Sequence, residues 1–159
     1  MLSPNEFSVG CIGDATVLTL VLPRGKYEYP ILVTCASGSP FAIFLEGEHR
    51  FMTFDCTGNT TWKGLLIPDV KLEVDETSIV DQDQSSVLFG CLVRKGPQLS
   101  IAARQERGFR DGSMTRLMVD LAPTREGMEV AFSRWQIVLG DGIAKRVIKT
   151  IDVGTQPSA

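Results

Sequence analysis

An all-β, antiparallel fold is what this 159-residue chain predicts. Three observations carry that expectation. No window keeps apolar residues at i, i+3, i+4 and i+7, as an amphipathic helix requires. Short apolar runs recur instead between clusters of Gly, Pro, Asp and Asn, which is the spacing of strands and turns. One run alternates cleanly, with Val70, Leu72 and Val74 set against Lys71, Glu73 and Asp75, the pattern of a strand with one wet face. About a dozen short strands result, a number suited to an antiparallel β-sandwich or paired β-barrels.

The elements follow in order. Phe7 to Ile12 and Thr16 to Leu22 are strands split by Gly13-Asp14. Pro23 to Lys26 is a turn, and Tyr29 to Ala36 follows with Pro30 early in the run, as a strand start or edge allows. Beyond Ser37 to Pro40, Phe41 to Leu45 is apolar on both faces and predicts a strand covered on both. His49 to Cys56 and Thr60 to Ile67 read as a hairpin about Gly58-Asn59, since such a pair accepts positive φ. The polar run Asp81 to Ser86 is the linker. Val87 to Arg94 and Leu99 to Gln105 form the next hairpin, and Ser113 to Leu121 is a further strand. Met128 to Leu139 is long enough for a bulged strand or two strands. Gly140-Asp141-Gly142 then turns the chain into Ile143 to Val153.

The stretch Arg50 to Val70 has a fainter copy in Arg134 to Val153. Both begin with Arg and an aromatic residue, turn at Gly and end on Asp-Val. Other matches keep the same order: Gly10-Cys11-Ile12 with Gly90-Cys91-Leu92, Leu18 to Leu20 with Leu99 to Ile101, and Ile31 to Val33 with Leu117 to Val119. The pattern suggests an internal duplication, with residues 1–80 and 81–159 as two β halves packed as one unit about a pseudo-two-fold axis. The second half is a few residues longer between its anchors, and the excess falls in Arg104 to Gly112. A departure from a repeat is where a scaffold is free to carry function.

Bulk properties set the partners. The net charge of −3 gives no electrostatic case for nucleic acid beyond a local basic patch. No apolar run spans a bilayer, and the first residues lack the basic leader and apolar core of a secretory signal. The expectation is a cytoplasmic protein whose four cysteines, Cys11, Cys35, Cys56 and Cys91, stay unpaired.

The sharpest local feature is basic. Arg104, Arg107 and Arg110 recur every third residue around Phe109, with Arg116 just beyond Asp111-Gly112. Converging guanidinium groups suit a phosphate or carboxylate, and Phe109 suits stacking or a partner's pocket. Glu106 and Asp111 neutralise part of the charge, so a solvated hairpin tip accounts for it too. The R-x-x-x-R switch and D-x-S-x-x-G strand motif of the PilZ cyclic-di-nucleotide receptors are not met. Arg104-x-x-Arg107 is one residue short, and Arg116 stands where Gly is needed.

His49, beside Glu46, Glu48 and Asp55, is the only histidine and has no second imidazole or thiolate neighbour in sequence. It reads as a surface residue in a charged turn rather than a metal ligand. Asp81 and Asp83 lack the EF-hand spacing, and no phosphate-binding glycine loop or nucleophile elbow occurs. Trp62 and Trp135 read as core anchors. No catalytic residue, metal ligand or cofactor is expected. Two functional readings stand. One is a non-enzymatic binding or assembly module that meets an acidic protein surface or phosphate-bearing ligand through Arg104 to Arg116, or a second copy through an edge strand. The other is a sensor or enzyme for a small or anionic ligand, with its site between the two halves.

Overall fold

A computed structural model describes residues 2, 4–23, 29–36, 39–80, 89–96, 98–104, 114–118 and 129–153. Within them the chain is all-β, with fourteen strands and two single-turn 3-10 segments. The first strands are β1 (Ser8–Cys11), β2 (Thr19–Pro23), β3 (Ile31–Ala36), β4 (Ser39–Phe44), β5 (Thr53–Asp55) and β6 (Lys63–Ile67). They pair in the order β1-β6-β2-β3-β4-β5. A second run joins β11 (Met114–Met118), β10 (Gln98–Arg104), β9 (Leu92–Lys95), β12 (Glu129–Phe132) and β8 (Ile79–Val80). It continues the same sheet through the pair Met118 and Cys35. A separate sheet holds β14 (Arg146–Asp152), β13 (Arg134–Leu139) and β7 (Lys71–Val74). These strand pairs are antiparallel; one isolated parallel bridge joins Met52 to Arg104.

Apolar residues on both faces of β2 to β4 explain two cores. Leu20, Leu32 and Ile43 point into a large cluster with Phe51, Leu92, Ile101, Trp135 and Ile151. Their neighbours Val21, Ile31, Val33 and Ala42 point the other way, into a smaller cluster with Ile12, Cys56 and Leu66. A period of two puts successive side chains on opposite faces, so a run such as Ile31-Leu32-Val33 must be covered twice. The long Met128 to Leu139 run divides into β12 and β13 at Ser133, and β13 bulges against β14 between Ile137 and Val138.

The expected hairpin from His49 to Ile67 does not form. β5 pairs with β4, whereas β6 pairs with β1 and β2. Gly58 does turn the chain at φ +65°, but the Asn59 side chain then redirects it. Its Oδ1 accepts the backbone N–H of Thr61 and of Trp62, each at 3.0 Å. Trp62 O in turn accepts Ile12 N–H at 2.9 Å, which delivers β6 to β1. Its counterpart, β13 with β14, is a hairpin, paired from Arg134 and Asp152 to Leu139 and Arg146.

Trp135 is fully buried, as expected of an anchor, but Trp62 is not: it is 40 % exposed. It precedes β6 and covers Phe44 and Phe54 from outside, with ring centroids 6.1 and 5.2 Å away. The two echoed Arg-aromatic pairs converge. The Phe51 ring packs directly on Gly90, and Trp135 Nε1 donates to Gly90 O at 2.8 Å. Arg50 Nη2 donates to Asp152 O at 3.3 Å, and Arg134 Nε to Asp152 Oδ2 at 3.1 Å.

Candidate functional site

The turn between β4 and β5 is held by its own backbone. Phe51 N–H donates to Phe44 O, Arg50 N–H to Gly47 O and Met52 N–H to His49 O, at 2.7, 3.1 and 2.9 Å. Gly47 has φ +88°, and a Cβ there would lie 2.6 Å from the Tyr29 ring. The position therefore requires glycine twice, for its φ and for the ring against it. Phe51 accepts a left-handed φ of +67° and is completely buried. Such a backbone costs a non-glycine residue about 1–2 kcal/mol, which burial of an aromatic side chain offsets.

This turn faces β14 across a cleft of about 390 Å³. Leu45, Glu46, Gly47 and Arg50 line one side, and Lys149, Thr150 and Ile151 the other. The site thus joins a turn from the first half of the sequence to a strand from its end. Lys149 is largely enclosed and its Nζ pairs with Glu46 Oε1.

Arg50 is half-buried, with its guanidinium 4.5 Å from the Phe51 ring centroid. Its Nη2 is satisfied by Asp152 O, but its Nε is enclosed and has no acceptor. Burial pushes the Arg50 guanidinium below its usual pKa, while Glu46 and Asp152 act against that shift. An enclosed donor left unpaired costs about 1–3 kcal/mol. Chemically the cleft offers two cations with N–H donors, one carboxylate and an apolar floor.

The sequence-predicted site residues are placed unevenly. Arg107, Phe109 and Arg110 lie outside the described residues. Arg116 lies in β11 opposite Ala102. Arg104 ends β10, next to the cleft turn: its N–H donates to Phe51 O at 2.8 Å and its Nη2 to Arg50 O at 3.4 Å. Its guanidinium also sits 5.9 Å from the Phe89 ring centroid. Arg104 therefore supports the turn from behind. His49 is exposed, 3.3 Å from Glu48, and its ring lies 6.2 Å from that of Phe44. Among the described residues no group of three or more His, Cys, Asp or Glu is arranged to hold a metal ion.

Sequence reasoning noticed Arg50 only as the head of an echo and did not single out Lys149. Lys149 and Glu46 are 103 positions apart, so only the fold brings them together. The one available signal was the Arg-aromatic pair at Arg50-Phe51.

Fold and cleft together define an all-β protein with a cationic recess between two remote chain segments. The chain belongs to the y4lG family: the family model described as "Uncharacterised protein y4lG" matches residues 9–158. It is 43 % identical over 148 residues to "Uncharacterized protein y4lG" of Sinorhizobium fredii (strain NBRC 101917 / NGR234), covering 93 % of this chain and 91 % of that protein. No solved structure matches the chain. No helix among the described residues is long and apolar enough to cross a membrane.

Proposed function

We propose that the protein is a non-enzymatic, cytoplasmic binding domain that holds a small anionic ligand in the cleft between the β4–β5 turn and β14. One observation carries this reading: Arg50 and Lys149, two cations remote in sequence, line one open recess in which Glu46 is the carboxylate among the lining residues. A carboxylate or phosphate group in the recess would lie beside both cations. Charge-assisted bonds of this kind are stronger than neutral ones, and a guanidinium accepts such oxygens in fixed geometry. The lining supplies cations and one carboxylate but no nucleophile paired with a base, which favours binding over turnover. Four unpaired cysteines agree with a reducing compartment. The arginine hairpin supports the rival reading less, because Arg104 is already engaged with the turn.

The test is calorimetric titration of the whole chain with inorganic phosphate and with succinate. Arg50→Ala is expected to weaken binding roughly tenfold to a hundredfold. Equal affinity in wild type and a folded Arg50→Ala variant would overturn the assignment.

A further inference from the structure

We infer that Glu46 is a built-in occupant of the cleft and that the natural ligand carries a dianionic group which displaces it; this rests on the anion-binding reading and names its chemistry. The two partners of the Glu46–Lys149 pair differ in freedom. The Lys149 side chain is 17 % exposed and fixed in the wall, whereas Glu46 is 50 % exposed and borders solvent. Release of Lys149 needs only a rotation of the Glu46 side chain toward the water it already borders.

Charge accounting then selects the ligand. The recess holds Arg50, Lys149 and Glu46, two cations and one anion. The Asp152 carboxylate pairs with Arg134, while Arg50 donates to the Asp152 carbonyl and also feels the charge of that carboxylate. A monoanion arriving at Lys149 exchanges one carboxylate for another and gains little. A dianionic group, a phosphate monoester or a dicarboxylate, meets Lys149 and the Arg50 guanidinium that lines the same recess. It gains the second cation as the surplus. Glu46 thus sets a threshold that excludes abundant single-charge anions, a form of specificity by competition.

The experiment titrates wild type, Glu46→Gln and Glu46→Ala with inorganic phosphate, succinate and acetate, in a buffer whose only other anion is chloride. Phosphate and succinate are expected to bind both variants about tenfold more tightly than wild type. Acetate is expected to bind wild type at least tenfold more weakly than succinate. Preference for phosphate over succinate assigns a phosphate monoester, and the reverse a dicarboxylate; either supports the dianion. Unchanged dianion affinity in both variants would sink the displacement of Glu46 while leaving anion binding in place. Acetate binding as tightly as succinate would sink the dianion requirement. If no anion binds wild type or either folded variant, the anion reading fails and this inference falls with it.

Discussion

Asp75 follows β7 and gathers three donors. Its Oδ1 accepts Thr77 Oγ1 at 2.6 Å and Thr77 N–H at 2.9 Å, and its Oδ2 accepts Arg134 Nη1 at 2.9 Å. The Thr77 hydroxyl, then the Thr77 N–H, then Arg134 hold its pKa below the usual carboxylate value. A group whose folded pKa lies below its unfolded one stabilises the fold above the unfolded value, about 3.9 for Asp. That contribution is lost as pH falls through the folded value. Asp75→Asn is therefore expected to be less stable than wild type at pH 7, with the gap closing below about pH 4. Urea melts across that range check the sign; a gap that widens in acid would contradict the account. Cys56 moves the other way: burial first, then the Asp55 charge, push its thiol up to about 11. That thiol stays protonated, as suits a small core residue. The sequence announced the burial of Cys56 through its place on an apolar strand face. It did not announce the Arg50 donor, which depends on what encloses Nε.

Between elements, Gly90 has the closest neighbour to its missing Cβ of any described glycine. Its N–H donates to Ala102 O at 2.6 Å, its O accepts Trp135 Nε1 at 2.8 Å, and its φ is +94°. A Cβ would sit 2.3 Å from Phe51 Cε2. Gly90→Ala meets both strain and overpacking, and is expected to cost roughly 2–5 kcal/mol in chemical denaturation. Gly96, in the β9–β10 turn, is the control. It has φ +56° with nothing near its missing Cβ, so its Ala variant should cost only about 1–2 kcal/mol. Comparable losses at the two positions would refute the contact. Strand positions were legible because apolar alternation and Gly turns are local. Pairing was less so. The Gly58-Asn59 turn looked like a hairpin because its residues suit one, yet Asn59 spends its acceptor on Thr61 and Trp62 and sends β6 away.

Across the molecule, the first and last halves of the sequence pair with each other. β7 lies against β13, β8 against β12, and β3 against β11. Salt bridges extend the same links, with Lys71 to Asp141 and Glu73 to Lys145. A fragment ending at residue 80 would leave β7 and β8 unpaired and Phe51 uncovered. Such a fragment is expected not to fold alone; a cooperative thermal transition in residues 1–80 would disprove this. The all-β class was readable from residue patterns, because it needs only local periodicity. The cleft was not, because it exists only where a turn and a strand remote in sequence meet.

The chain has two tryptophans, and the fold places them in opposite surroundings. Trp135 is sealed in the core with its indole N–H bonded to Gly90, while Trp62 lies 40 % exposed on the outer aromatic group. The protein therefore carries its own pair of optical reporters. A water-soluble quencher such as iodide reaches Trp62 first. The emission that survives comes from Trp135, and its red shift marks the moment when the core around it opens to water.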